Sequence, residues 1–137
     1  MKLMTTTYAE IKDDFEFLDE WEDRYRFVID LGKSYEALPE DLRSDGAKVE
    51  GCASQVWLVP KVEEGKFSFQ GASDAMIVQG LIAILSALYH QIPLNDASKI
   101  DALEEFAALG LDQHLSAQRS NGLRAMITRI KEFLANA

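Results

Sequence analysis

Val56-Trp57-Leu58-Val59-Pro60-Lys61-Val62-Glu63-Glu64-Gly65-Lys66-Phe67-Ser68-Phe69-Gln70, followed by Gly71-Ala72-Ser73-Asp74 and a long apolar run, decides how this chain folds. Val56 to Val59 combines β-branched and aromatic residues, the composition of a strand. Lys66 to Gln70 alternates polar and apolar, which sets Phe67 and Phe69 on one face of a half-buried strand. Pro60 to Gly65 is turn-like, so the pair reads as a β-hairpin. Ser73 or Asp74 is suited to cap a helix predicted from Ala75 to about Tyr89. That helix is apolar on nearly every side, the pattern of a buried central helix, and Met76 is assigned to its packing.

The flanks are helical. Thr6 or Thr7 caps a first helix whose apolar side carries Ile11, Phe15 and Leu18. Asp19 with Glu22 resembles a capping box for a second helix, with Trp21, Tyr25, Val28 and Ile29 on one face and Gly32 as its C′ residue. Pro39, Asp45 and Gly46 mark the loop that follows. Beyond the central helix, Pro93 ends the apolar region, and Asn95 or Asp96 begins a short turn. Asp101 to Leu109 forms a short helix closed by Gly110, and Ser116 to Asn121 is a polar loop or helix start. A last helix carries Leu123, Met126, Ile127, Ile130, Phe133 and Leu134 on one side. The order helix, hairpin, helix predicts an α+β domain with helices packed against a small antiparallel sheet.

At 137 residues, 47% of them hydrophobic, the chain is expected to form one domain that buries a core without staples. A net charge of −9 disfavours nucleic acid, whose phosphates call for clustered Lys and Arg. Asp13, Asp14, Glu16, Asp19, Glu20, Glu22 and Asp23 crowd the N-terminal part. Such a run is a solvated helix face, and its field also favours a basic protein partner. The opening Met1-Lys2-Leu3-Met4-Thr5-Thr6 lacks an apolar core, so no signal peptide is expected. The longest apolar stretch, Ala75 to Tyr89, is too short to span a bilayer, so no membrane partner is expected.

The chain has one cysteine, Cys52, in Val49-Glu50-Gly51-Cys52-Ala53-Ser54-Gln55. A single cysteine excludes an internal disulfide and any Cys-pair metal or redox motif. A free thiol fits a reducing compartment, and a cytoplasmic location is expected. Lone cysteines are most often small buried hydrophobes on an apolar face. Cys52 instead follows a glycine where the chain turns. A thiol hydrolase with His90 or His114 as base is one option, although nothing in the spacing ties either histidine to Cys52. Each histidine also fits a capping or packing role. Two distant histidines and one cysteine make a zinc site unexpected, and no phosphate-binding glycine loop is present. Covalent group transfer through the thiolate needs neither metal nor second cysteine.

Three blocks of sequence resemble the SufE family. They are Val49-x-Gly51-Cys52-x-Ser54-x-Val56-Trp57-Leu58, then Ser73-Asp74-Ala75-x-Ile77-Val78-x-Gly80-Leu81, and last Leu109-Gly110-Leu111-x-x-His114-Leu115-Ser116-x-x-Arg119-x-Asn121-Gly122-Leu123. They follow the family's order and spacing over nearly the whole chain. Gln79 departs from it, since many members carry a basic residue there. The resemblance implies a SufE/IscU-like fold and a sulfur acceptor. In that family a cysteine desulfurase of the SufS type, using its own pyridoxal phosphate, makes a persulfide and works faster when SufE is present. The SufE cysteine takes the sulfur and passes it to an iron–sulfur scaffold complex. Cys52 is then the persulfide-forming residue, with Asp74, Arg119 and Gly51 in support. No cofactor is implied for this chain, and it lacks the cysteines needed to hold a cluster. Asp74 as a helix cap, Arg119 as the partner of a carboxylate and Trp57 as core packing are the structural readings of the same residues. The Cys52 side chain is expected to be sheltered until the desulfurase docks. A thiol hydrolase using Cys52 with His114 and a non-catalytic desulfurase-binding adaptor are the alternatives to transfer.

Overall fold

A computed structural model describes residues 7–51, 54–111 and 115–137. Helix α1 (Tyr8–Phe17) starts at Thr7, whose hydroxyl accepts from the Glu10 N–H at 3.2 Å while the Glu10 carboxylate accepts from the Thr7 N–H at 2.8 Å. This reciprocal box satisfies two of the donors a helix start leaves free. Ile11 and Phe15 are buried, whereas Leu18 lies at the C-cap. Helix α2 (Trp21–Ser34) has Glu20 at its N-cap with no side-chain cap bond, so the expected Asp19–Glu22 box does not form. Arg24 instead secures this corner. Its guanidinium donates to the Leu18 carbonyl at 2.6 Å and to the Phe15 carbonyl at 3.1 Å, at the end of α1 where helix carbonyls run short of backbone donors; the Phe15 carbonyl also accepts the Leu18 N–H.

Strands β1 (Val56–Glu63) and β2 (Lys66–Ser73) pair antiparallel from Val56↔Ser73 to Glu63↔Lys66. The turn is shorter than expected. Only Glu64 and Gly65 lie outside the strands, at φ of 52° and 77°, the positive values a two-residue type I′ hairpin needs. Pro60 lies inside β1, which is tolerated because β1 is an edge strand. A short β3 (Ile92–Pro93) adds to the other side of β2 at Lys66 and Phe67, giving the order β1-β2-β3. Where β3 ends, the segment before the sheet covers the open edge of β2. The Leu38 N–H donates to the Gly71 carbonyl at 3.0 Å, and the Gly71 N–H donates to the Tyr35 hydroxyl at 3.2 Å.

Helix α3 (Met76–Leu88) is the central element. Ile77, Leu81, Ile82, Ile84 and Leu85 are all at most 2% exposed. Phe67 and Phe69 of β2 and Val56 and Leu58 of β1 close the core beside it, and each fully buried side chain of this size contributes about 1.5–3 kcal/mol. Met76 is 63% exposed, because it sits in the first turn before the helix enters the core. Trp57 is half-buried outside the core cluster, with the Arg43 guanidinium 5.6 Å from its ring centre. Its position between Val56 and Leu58 puts it on the opposite face of β1.

Gly32 does not end α2. It lies within the helix against α3, where an added Cβ would come within 2.7 Å of the Gly80 nitrogen. A Cβ on Gly80 would overlap the Val28 carbonyl. The two glycines let the backbones of α2 and α3 touch. After β3 come α4 (Leu94–Ala97), α5 (Ala102–Ala108) and α6 (Ala117–Ala135). Asp101 caps α5 and Ser116 caps α6, so Ser116 to Asn121 is a helix start rather than a loop. Leu123, Met126, Ile127 and Ile130 of α6 complete the core. The described residues form the expected α+β arrangement of helices on a small antiparallel sheet. No helix among them is long and apolar enough to cross a membrane.

Candidate functional site

Cys52 and His114 fall outside the described residues, and with them the expected shelter of the thiol and the Cys52–His114 pairing. The chain on both sides of Cys52 is defined. The Val49 N–H donates to the Val56 carbonyl at 2.8 Å, closing residues 49–56 into a loop against β1. Gly51 has a φ of +93°, a conformation glycine adopts without the strain a side chain would bring, and an added Cβ would lie 3.5 Å from the Ala125 Cβ on α6.

On the other side, Gln55 and Asp74 form a two-bond clasp. The Gln55 N–H donates to Asp74 Oδ1 at 3.1 Å, and the Asp74 N–H donates to the Gln55 carbonyl at 3.3 Å. Asp74 is therefore not the cap of α3. Ala75 holds that position without a side-chain bond, and the Ser73 hydroxyl accepts from the Ala75 N–H at 3.2 Å. The carboxylate is drawn to the start of β1, where the Gln55 N–H needs an acceptor. Gln79 folds back in the same way, its Oε1 accepting from the Ser73 N–H at 2.8 Å.

Arg119 sits in the first turn of α6, where its N–H donates to the capping Ser116 hydroxyl at 3.3 Å. Its side chain lines a pocket of about 110 Å³ together with Ser54 and Gln118. Val56, Val78, Leu81 and Met126 supply apolar wall. The guanidinium Nη1 donates to the Tyr25 hydroxyl of α2 at 3.2 Å. No carboxylate among the described residues pairs with Arg119, so neither the carboxylate partner expected for it nor an Asp74–Arg119 ion pair is present there. The structure thus brings Gly51, Asp74 and Arg119 to the two ends of the Cys52 loop by separate contacts. The sequence reading missed Gln55 and the role of Tyr25. Tyr25 was legible only as one member of an apolar helix face, and nothing local distinguished Gln55.

Other polar groups lie elsewhere. His90 is exposed in the turn after α3, while Asp74 precedes that helix. Thirteen helical residues separate the two places by about 20 Å, which sets His90 apart from the Cys52 loop. The Tyr8 hydroxyl donates to the Glu105 carboxylate at 2.9 Å, and burial together with that carboxylate pushes its pKa up. Burial, reinforced by Asp101, raises Tyr89 to about 12. A larger groove of about 300 Å³ opens between the hairpin and α6 at Pro60, Phe133 and Asn136. Its described lining holds no thiol, hydroxyl or imidazole, and its Arg129 is committed to the Lys48 and Gly46 carbonyls. The smaller pocket beside Ser54 is the chemically equipped one. Among the described residues no cluster of three or more His, Cys, Asp or Glu side chains could hold a metal ion.

Comparison with known proteins agrees with this architecture. Residues 9–134 match the SufE family, described as an Fe-S metabolism associated domain. An uncharacterized SufE-like protein of Rhizobium meliloti is 52% identical over 130 residues, covering 92% of this chain and 93% of that one. A second, from Rhizobium etli, is 50% identical over 135 residues, covering 96% and 91%. The solution structure of a hypothetical protein from Thermus thermophilus superposes with a TM-score of 0.77 at 17% identity, covering 95% of this chain and 94% of that one, a likeness of fold. The chain belongs to the SufE family, and its domain is one associated with iron–sulfur metabolism.

Proposed function

We propose that this protein accepts sulfur from a cysteine desulfurase on Cys52, stimulates that enzyme, and carries the sulfur to an iron–sulfur scaffold in the cytoplasm. The observation that supports this reading best is the setting of the chain's one thiol. Cys52 lies in a SufE-family domain between Gly51, which faces Ala125 of α6, and Ser54, which lines a small pocket carrying one cation among its described residues. The Cys52 thiolate attacks the outer sulfur of the desulfurase persulfide. The sulfur–sulfur bond of the donor breaks, the desulfurase thiolate leaves, and a new sulfur–sulfur bond on Cys52 makes a persulfide. No net oxidation occurs, so no oxidant is required.

Gly51, Asp74 and Arg119 have supporting roles in this scheme. Gly51 and the Gln55–Asp74 clasp hold the ends of the loop, and the guanidinium of Arg119, which pairs with no carboxylate among the described residues, favours an anionic sulfur. The acidic N-terminal region suits a basic surface on the partner. Substitution of Cys52 by Ser tests the scheme, because a hydroxyl cannot form a persulfide. Cys52→Ser is expected to fold with an unchanged circular dichroism spectrum and to abolish stimulation of desulfurase turnover on cysteine. Full stimulation by the folded Cys52→Ser protein would make the domain an adaptor instead.

A further inference from the structure

Arg119 faces the pocket beside Ser54 and is held there across a helix boundary. Its Nη1 donates to the Tyr25 hydroxyl at 3.2 Å, and Tyr25 itself is braced edge-on against the Trp21 ring, with centroids 6.0 Å apart at 64°. The choice of acceptor is informative. Glu22 lies on the same side of α2 as Tyr25, yet the atom that holds Arg119 belongs to a phenol. A carboxylate in that place would fix the guanidinium and cancel its charge together. A phenolic oxygen fixes its direction and leaves the full positive charge directed at the pocket. Among the described residues lining that pocket, Arg119 is also the one charged side chain.

We propose that Tyr25 is a positioning residue for the sulfur site: it aims an Arg119 guanidinium, which no carboxylate among the described residues neutralises, at the pocket that Ser54 of the Cys52 loop lines, so that an anion formed there is favoured. The inference rests on the reading that Cys52 carries the chemistry, and it adds a residue from outside the three sequence blocks that carry the family resemblance. Tyr25→Phe removes one oxygen and keeps the ring and its contact with Trp21, so the fold is retained.

The test uses the isolated protein and compares alkylation of Cys52 by anionic iodoacetate with alkylation by neutral iodoacetamide. A guanidinium held near the thiol raises the iodoacetate-to-iodoacetamide rate ratio, whereas a purely structural role for Tyr25 shifts both rates alike. The ratio is expected to fall about two- to fivefold in Arg119→Ala and about twofold or more in Tyr25→Phe. In an Arg119→Ala background, Tyr25→Phe is expected to add nothing, the signature of two residues acting as one unit. An unchanged ratio in either single variant, or effects that simply multiply in the double variant, would overturn the proposal. No desulfurase enters this measurement. Absence of a persulfide on the wild-type protein would sink the sulfur-acceptor reading while leaving the Tyr25–Arg119 coupling to be judged on the ratio alone.

Discussion

Asp74 accepts the Gln55 N–H through one carboxylate oxygen, at an exposed place where such a bond is worth about 0.5–1.5 kcal/mol. Asp74→Ala is expected to cost that amount in denaturant titration and to speed alkylation of Cys52 by loosening the downstream end of its loop. Asp74→Asn keeps an oxygen acceptor, so it is expected to retain most of the stability and most of the loop restraint. Equal, wild-type labelling of Cys52 in both variants would show that the clasp does not govern the loop. Gly51→Ala meets Ala125 at an ordinary 3.5 Å, so its cost comes from forcing an alanine to a φ of +93°. About 1–2 kcal/mol is expected, read as a lowered denaturant midpoint at an unchanged slope. The types and order of these residues were legible in the sequence, but their partners were not. A carboxylate before a helix reads as a cap because most are caps. That this one turns away to Gln55, nineteen positions back, follows from the hairpin register that sets Val56 against Ser73.

The helices and the hairpin were legible in proportion to how strongly local pattern constrained them. Phe67 and Phe69 alternate with polar neighbours, and the stretch after Ala75, apolar on nearly every side, reads as a buried helix. The two-residue β3 has no pattern of its own. It exists because Ile92 and Pro93 pass beside Lys66 and Phe67. Gly32 was misread for a similar reason. A glycine late in a helix resembles a C′ residue, and only the approach of Gly80 from α3 shows it as a contact point between backbones. Substitution at this crossing is expected to be severe. Gly80→Ala drives a methyl into the Val28 carbonyl, which cannot yield without moving α2, so a loss of about 3 kcal/mol or more is expected. Thermal unfolding measures it. A melting temperature within a degree or two of wild type would mean that α2 and α3 are not held at this spacing.

For the molecule as a whole, alkaline pH probes the integrity of the core. Tyr89 is fully buried, its hydroxyl has no hydrogen-bond partner among the described residues, and its pKa is raised from 10.0 to about 12. The unfolded chain releases this proton at the ordinary value, so the raised pKa contributes stability that is complete below pH 10 and lost as pH climbs towards 12. The gap corresponds to roughly 2–3 kcal/mol. Tyr8, shifted in the same direction, adds to the loss. Stability measured by denaturant titration is expected to fall across that window, with a shallower fall in Tyr89→Phe. Tyr89→Phe is also expected to be neutral or slightly stabilising at pH 7, since it removes a buried polar atom without orphaning a partner. An identical alkaline profile in Tyr89→Phe would assign the loss to other groups.

The family was legible at this scale because three separated sequence blocks carry it, and the structure brings Ser54, Asp74 and Arg119 to one end of the fold through the hairpin register and the capped start of α6. The central claim is that Cys52 takes sulfur. Its most direct test is intact-mass spectrometry with peptide mapping after the protein is incubated with a cysteine desulfurase and cysteine, without reductant. A gain of one sulfur atom, confined to the peptide containing Cys52, removed by a thiol reductant and absent from Cys52→Ser, is the predicted result. An unmodified Cys52 peptide from a desulfurase that is turning over and visibly stimulated would contradict it.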